Sequence, residues 1–205
     1  KKDSDTKQTV LVPNAEFKIF NLDKNEYVKQ YTTYPSKVEH TSFFTDEDGD
    51  LILPEALKIG NYRIEEVSAP FGYVVNDKYV NISVDTDTAF ETDGDTNDAI
   101  ITVEYSDAPA VGELTVEKKG EVLDGFKGEL LASSYEKEFV YKEGSLAGAK
   151  FKVYAAEDIY TADNQKDADG NRIKYYSKGD LVTTLTTGKD GKATAKNLPL
   201  GQYRV

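Results

Sequence analysis

Residues 61–73, NYRIEEVSAPFGY, set the tightest condition on what this chain can fold into. In an extended strand successive side chains alternate between faces, so Tyr62, Ile64 and Glu66 fall on one side and Arg63 and Glu65 on the other. Glu66 is thereby aimed where apolar side chains go. A carboxylate there is costly unless it is neutral, paired or hydrogen-bonded. The strand therefore either ends at a sheet edge with Glu66 in water, or it keeps Glu66 inside for a purpose. Ala69-Pro70-Phe71-Gly72-Tyr73 follows at once, a proline and glycine turn that stops the strand and reverses the chain.

The same two-residue period recurs along the chain. Ala15, Phe17 and Ile19 alternate with Glu16, Lys18 and Phe20. Further short strands are expected at 26–33, 40–45, 50–53, 79–84 and 100–106, separated by turns such as Asp46-Glu47-Asp48-Gly49. No stretch carries a helical period. Fourteen tyrosines and nine phenylalanines, with many Val, Ile and Thr, suit half-buried strands. An all-β chain built from two-sheet sandwiches is the predicted fold class.

After a hinge at Ala108-Pro109-Ala110-Val111-Gly112 the pattern starts again. Asn14-Ala15-Glu16-Phe17-Lys18-Ile19 is echoed by Gly148-Ala149-Lys150-Phe151-Lys152-Val153. The path from Asp48-Gly49 to Gly60-Asn61-Tyr62-Arg63-Ile64 is echoed by Asp190-Gly191 to Gly201-Gln202-Tyr203-Arg204-Val205. Two copies of one module are expected, at 1–109 and 110–205. The second carries an insertion at 120–146 and stops before a counterpart of Glu66, so its last strands are expected beyond this stretch.

Composition removes several function classes. Twenty-five basic against 37 acidic residues leave a net charge of -12, which disfavours nucleic acid and anionic membranes as partners. No apolar run approaches the roughly 20 residues of a membrane span. Cysteine is absent, which excludes thiolate chemistry, and His40 is the single histidine, which nearly rules out histidine-based metal or nucleophile sites. The acidic run 85–98 and Asp167-Ala168-Asp169-Gly170-Asn171 both lack a glycine at the position a calcium loop requires, and read as solvated loops. No metal and no cofactor are expected. The absence of methionine marks the chain as an expected segment of a longer protein.

The strands beside the hinge repeat the anomaly of Glu66. Ile101, Val103 and Tyr105 share a face, and Asp107 falls in line with them. Leu114 and Val116 share a face, and the same count places Lys118 beside them. Aligning Lys118-Lys119-Gly120 with Lys1-Lys2-Asp3 makes Lys1 the counterpart in the first module. One lysine, one aspartate and one glutamate would thus point inward. Burial lowers an ammonium pKa and raises that of a carboxyl. A neutral amine is a nucleophile, and a protonated carboxyl can donate to a carbonyl oxygen as charge develops on it. These groups could form an amide, or stand as a buried ion network with no bond.

The run from Tyr62 to Tyr73 resembles the E-box, Y-x-L-x-E-T-x-A-P-x-G-Y, of Cna-B/SpaA-type prealbumin-like domains in pilins and adhesins of Gram-positive bacteria. Ile64 replaces the usual Leu and Val67 the Thr; the other fixed positions match. The A-x-F-x-[IV] strand, the D-G turn and the G-x-Y strand of both repeats are similar to the same family. The resemblance implies two tandem Ig-like or prealbumin-like β-sandwiches, the second truncated. It implies an intramolecular isopeptide bond with Lys1 as nucleophile, Asp107 as acceptor and Glu66 as catalytic acid, water leaving because the acceptor is Asp. Lys118 matches the nucleophile of the second module.

Two functions are expected to compete. One is a structural stalk, a cell-wall-anchored extracellular pilin or adhesin segment that contacts other pilin subunits and turns over no substrate beyond its own single cross-link. The other is a ligand-binding adhesin module that grips host protein or glycan through loops 43–55 or 120–146. An extracellular enzyme lacks any further catalytic constellation.

Overall fold

The computed structural model describes residues 1–85, 91–92, 99–131 and 134–205, and every regular element among them is a strand. The fold is all-β. Of the acidic run 85–98, all but Asp85, Glu91 and Thr92 lies outside the described residues. The chain separates into two compact units, one formed by Lys1–Ala110 with Tyr160–Ile173, the other by Val111–Ile159 with Lys174–Val205.

In the first unit the strands are β1 (Lys2–Asp3), β2 (Glu16–Asn21), β3 (Glu26–Tyr27), β4 (Gln30–Thr32), β5 (Val38–His40), β6 (Phe43–Phe44), β7 (Gly60–Ser68), β8 (Tyr73–Val74), β9 (Val80–Val84), β10 (Glu91–Thr92), β11 (Ala99–Ile100) and β12 (Ser106–Pro109). One sheet runs β3-β2-β7-β9, with β6 also paired to β2; a second runs β1-β12-β8. Alternation explains why β2 lies at the centre. Phe17 and Ile19 are buried between more exposed neighbours, and they stand opposite Glu66 and Ile64 of β7. Ala15, Phe17 and Tyr105 form one core cluster with Leu51, Ile64 and Val80 against it, and Ile19, Phe43 and Tyr62 form another. Each such side chain contributes about 1.5–3 kcal/mol of burial.

Residues 50–53, expected as a strand, make no ladder. Leu51 and Leu53 nevertheless pack on the core clusters, so the apolar alternation was real while the backbone had no strand beside it to pair with. The expected strand 100–106 is likewise interrupted. Only Ala99–Ile100 and Ser106–Pro109 pair, yet Tyr105 and Asp107 keep the predicted inward phase, at 6% and 1% exposure.

The second unit holds β13 (Val111–Glu117), β14 (Lys119–Leu131) and β15 (Ser134–Ser145). β13 pairs with Lys192–Pro199, and Lys150–Ala155 pairs with both Leu181–Thr186 and Tyr203–Arg204. Val153, Leu185, Ala195 and Leu198 form its core. β14 and β15, the expected insertion, pair with one another alone in a long antiparallel ribbon.

The sequence echo is repeated in local hydrogen bonds. Ala15 N–H donates to Thr45 Oγ1 and Ala149 N–H to Thr187 Oγ1, both at 3.0 Å. Tyr62 O–H donates to the Lys58 carbonyl at 2.7 Å and Tyr203 O–H to the Pro199 carbonyl at 2.6 Å, four residues upstream in each case. Gly49 and Gly191 hold φ of +77° and +75°, and a Cβ on either would lie 2.5 or 2.6 Å from a backbone carbonyl oxygen, of Val10 or Lys118. Only glycine fits that approach and that backbone region together.

Candidate functional site

The site lies where the two sheets of the first unit face each other. β7 delivers Glu66 from the larger sheet, because it enters at Tyr62 with its aromatic ring inward and alternates without interruption. β12 delivers Asp107 from the smaller sheet, and the residue preceding β1 delivers Lys1. β1 runs parallel to β12, with Lys2 opposite Ser106 and Asp3 opposite Asp107. Lys1 is therefore held beside Asp107 by pairing between residues about a hundred positions apart in the chain. Asp3, fully buried, keeps β1 in place. Its Oδ1 accepts from Asp5 N–H at 2.7 Å and Thr6 N–H at 2.9 Å, and its Oδ2 accepts from Tyr73 O–H at 2.7 Å.

Lys1 Nζ stands 2.5 Å from Glu66 Oε1 and 2.6 Å from Asp107 Oδ1, and the three side chains are 1%, 0% and 0% exposed. The three residues predicted to converge in the first module do so. Nζ donates to Glu66, whereas neither Asp107 oxygen accepts a hydrogen bond of normal geometry. An amine that attacks a carboxyl carbon approaches across the carboxyl plane and not along the oxygen lone pairs, so close contact outside hydrogen-bond geometry is compatible with attack.

Burial pushes the Asp107 carboxyl from 3.8 up to about 6; the Lys1 ammonium opposes the shift, and the Glu66 carboxyl beside it adds to it. Two carboxylates and one ammonium in a dry site would leave one negative charge uncompensated. A proton on Asp107 removes it.

Sequence reasoning missed the supports around this group. Tyr105 and Phe17 meet edge to face with centroids 5.1 Å apart, and Nζ lies 4.6 Å and 5.4 Å from their centroids. The rings wall the site from water. Alternation had placed both inward, without indicating that they would touch the lysine. Asn76 N–H donates to Glu66 Oε2 at 2.9 Å, and Asn76 Nδ2 donates to the Ser106 carbonyl at 2.8 Å. Tyr105 O–H bonds to the Asn76 and Lys78 carbonyls. The turn after β8 thus ties the Glu66 carboxylate to β12. Nothing in the local sequence around Asn76 signals this.

Lys118 departs from its predicted orientation. Its backbone matches that of Lys1: Lys118 N–H donates to the Gly191 carbonyl as the Lys1 amino group does to Gly49, and its carbonyl accepts from Leu146 N–H as that of Lys1 does from Val10. The residue is exposed, because β13 ends at Glu117 and the inward alternation of Leu114 and Val116 stops with it. Among the described residues no carboxylate stands within ion-pair distance of it.

The family model described as SpaA, a prealbumin-like fold domain, matches residues 1–99 and 135–205. No curated protein matches the chain. Among solved structures it is similar to the Bacillus anthracis TIE protein, with 24% identity over 94% of this chain and 24% of that one and a TM-score of 0.44. It is similar also to a streptococcal ancillary pilin, with 20% identity, 98% and 49% coverage and a TM-score of 0.35. A third is BcpA, the major pilin subunit of Bacillus cereus, with 13% identity, 98% and 84% coverage and a TM-score of 0.37. The chain spans about a quarter of the first of these structures and about half of the second.

Proposed function

The chain belongs to the SpaA prealbumin-like fold domain family, and from that premise we propose that residues 1–109 are a self-cross-linking structural module of a Gram-positive surface protein, a pilin or adhesin segment. The observation that carries this reading is the Lys1 Nζ seated 2.5 Å from Glu66 and 2.6 Å from Asp107 with all three side chains out of water. The Lys1 amine attacks Asp107 Cγ. The new bond is Nζ–Cγ and the bond lost is Cγ–OH; one amine proton and the hydroxyl depart as water. Glu66, hydrogen-bonded to Nζ and bordering Asp107, first takes a proton from the ammonium and so frees the amine to attack; as the acid it then gives a proton to the departing hydroxyl and recovers one from the nitrogen, so it ends protonated. The raised pKa of Asp107 favours the neutral acid, whose hydroxyl can leave, over a carboxylate, whose oxide cannot. One turnover completes the reaction, so the module is not an enzyme toward any other substrate.

Mechanical load gives the bond its use. β1 and β12 are parallel neighbours joined by only two register pairs, Lys2 with Ser106 and Asp3 with Asp107. Tension applied at the two ends of the module would shear this short ladder, and an amide next to it carries the load covalently. In the chain-entropy model a tie closing about 100 residues adds roughly 4–5 kcal/mol, with a disulfide as proxy. The second module, residues 110–205, follows as a further link, with Lys118 as its nucleophile once a Glu and an Asp or Asn come beside it. The setting is extracellular and cell-wall-anchored, with other pilin subunits as partners.

Intact mass of the folded chain tests the reading. One water is lost, and peptides bearing Lys1 and Asp107 are joined after proteolysis. A mass equal to that of the sequence overturns it.

A further inference from the structure

The ribbon β14–β15 carries an apolar stripe that is exposed among the described residues. Leu123, Phe126, Phe139 and Tyr141 are 56–57% exposed. Phe126 stands opposite Phe139 and Leu123 opposite Tyr141, with a register shift between Leu123 and Gly125. That shift is what builds the stripe. Leu123 and Phe126 are three positions apart and would point to opposite faces of a regular strand; the extra residue, Asp124, brings them to one face. A two-stranded ribbon is marginal in water unless a further layer packs on it.

Charges bracket the stripe in a definite order. Beyond Phe126 and Phe139 the next pair on this face is Gly128 and Lys137, with Lys137 Nζ 4.5 Å from the Phe126 ring centroid. Beyond Leu123 and Tyr141 the next is Glu121 opposite Glu143. Like charges directly opposed destabilise a ribbon, and no cation of the described residues forms an ion pair with either glutamate. Between Lys137 and Glu143 the face therefore reads Lys, Phe–Phe, Leu–Tyr, Glu–Glu, and Lys119 opposite Ser145 follows beyond the glutamates. Turned end for end on a two-fold axis, a second copy sets its Glu121 and Glu143 over Lys137 and its Leu–Tyr pair over Phe–Phe.

We propose that this face is a self-complementary interface, and that two copies of the chain associate through it in antiparallel, face-to-face stacking of their β14–β15 ribbons. The proposal is independent of the cross-link. Four side chains a little over half exposed offer roughly 100 Å² each, so the pair buries about 800 Å² in all. That is below the ~1,200 Å² of stable complexes, and the dimer is accordingly weak, with a Kd on the order of 0.1 mM. The net charge of -12 does not prevent it at physiological salt, where the Debye length is about 8 Å and only facing charges are felt strongly.

Sedimentation velocity of the 205-residue chain from ~1 µM to ~1 mM tests this. A monomer–dimer equilibrium is expected. Phe126→Ser with Phe139→Ser weakens it at least tenfold while the circular dichroism spectrum is unchanged. Lys137→Glu alone weakens it about tenfold, and adding Glu121→Lys and Glu143→Lys restores it to within about threefold. A chain that stays monomeric throughout overturns the proposal. So does a dimer that survives the serine substitutions, which would mean pairing through strand edges, or a triple charge swap that fails to restore association.

Discussion

Glu66→Gln isolates the contribution of the cross-link. The substitution keeps the shape of the side chain and leaves Lys1 and Asp107 as a one-to-one ion pair, so the buried site gains no unbalanced charge. It removes the group that moves the proton. Without the amide, the loop from Lys1 to Asp107, about 100 residues, is open in the unfolded state, and the chain-entropy model assigns that a loss of roughly 4–5 kcal/mol. For a unit a little over 100 residues long, each kcal/mol corresponds to about 4 °C, so the first unit should melt some 15–20 °C lower than in the unmodified chain. Mass spectrometry and calorimetry on the same samples make the assay. The unmodified protein is one water lighter than its sequence, Glu66→Gln is not, and the low-melting transition accompanies the heavier mass. Two results would refute the reasoning: Glu66→Gln that still loses water, or one that keeps its full mass and melts with the unmodified protein.

Asp107, held near 6 by burial, makes the unlinked protein acid-favoured. The folded state binds a proton between about pH 4 and 6 that the unfolded state does not, so stability is highest below about 4 and is lost as pH rises through 6, by about 3 kcal/mol. Lys1→Met, which cannot cross-link and removes the opposing charge, should show at least that fall relative to Lys1→Met/Asp107→Asn in urea titrations across this range; a difference independent of pH would contradict it. Tyr73→Phe removes the donor to fully buried Asp3 and should cost about 1.5–3 kcal/mol by urea unfolding of the first unit, with the cross-link still formed. Thr45→Val leaves the buried Ala15 N–H without its acceptor and should cost about 1–3 kcal/mol, and Thr187→Val should do the same in the second unit. Because Thr187 Oγ1 also donates to the Leu146 carbonyl, the two losses need not be equal; no loss of stability in either variant would break the correspondence between the repeats.

Side-chain direction in a strand is local, and for that reason the sequence by itself determined that Glu66 and Asp107 share a face with the apolar side chains beside them, while it left open whether Glu66 met water there. A two-residue period needs no knowledge of what lies across the sheet, and it held for Asp107 even where the strand before it was broken. The repeat was determined in the same way, since Gly49 and Gly191 answer to the same backbone requirement in each copy. Tertiary structure alone decided which charges met. Lys1 and Lys118 share their backbone hydrogen bonds, yet one is sealed beneath Phe17 and Tyr105 and the other lies in water, because burial depends on the strands brought alongside. The place of Asn76 beneath Glu66, the failure of Leu51 and Leu53 to form a ladder, and the re-phasing of Phe126 by the bulge at Asp124 likewise follow from pairing between distant segments. Local alternation says which way a side chain faces; only the packed sheets say what it faces.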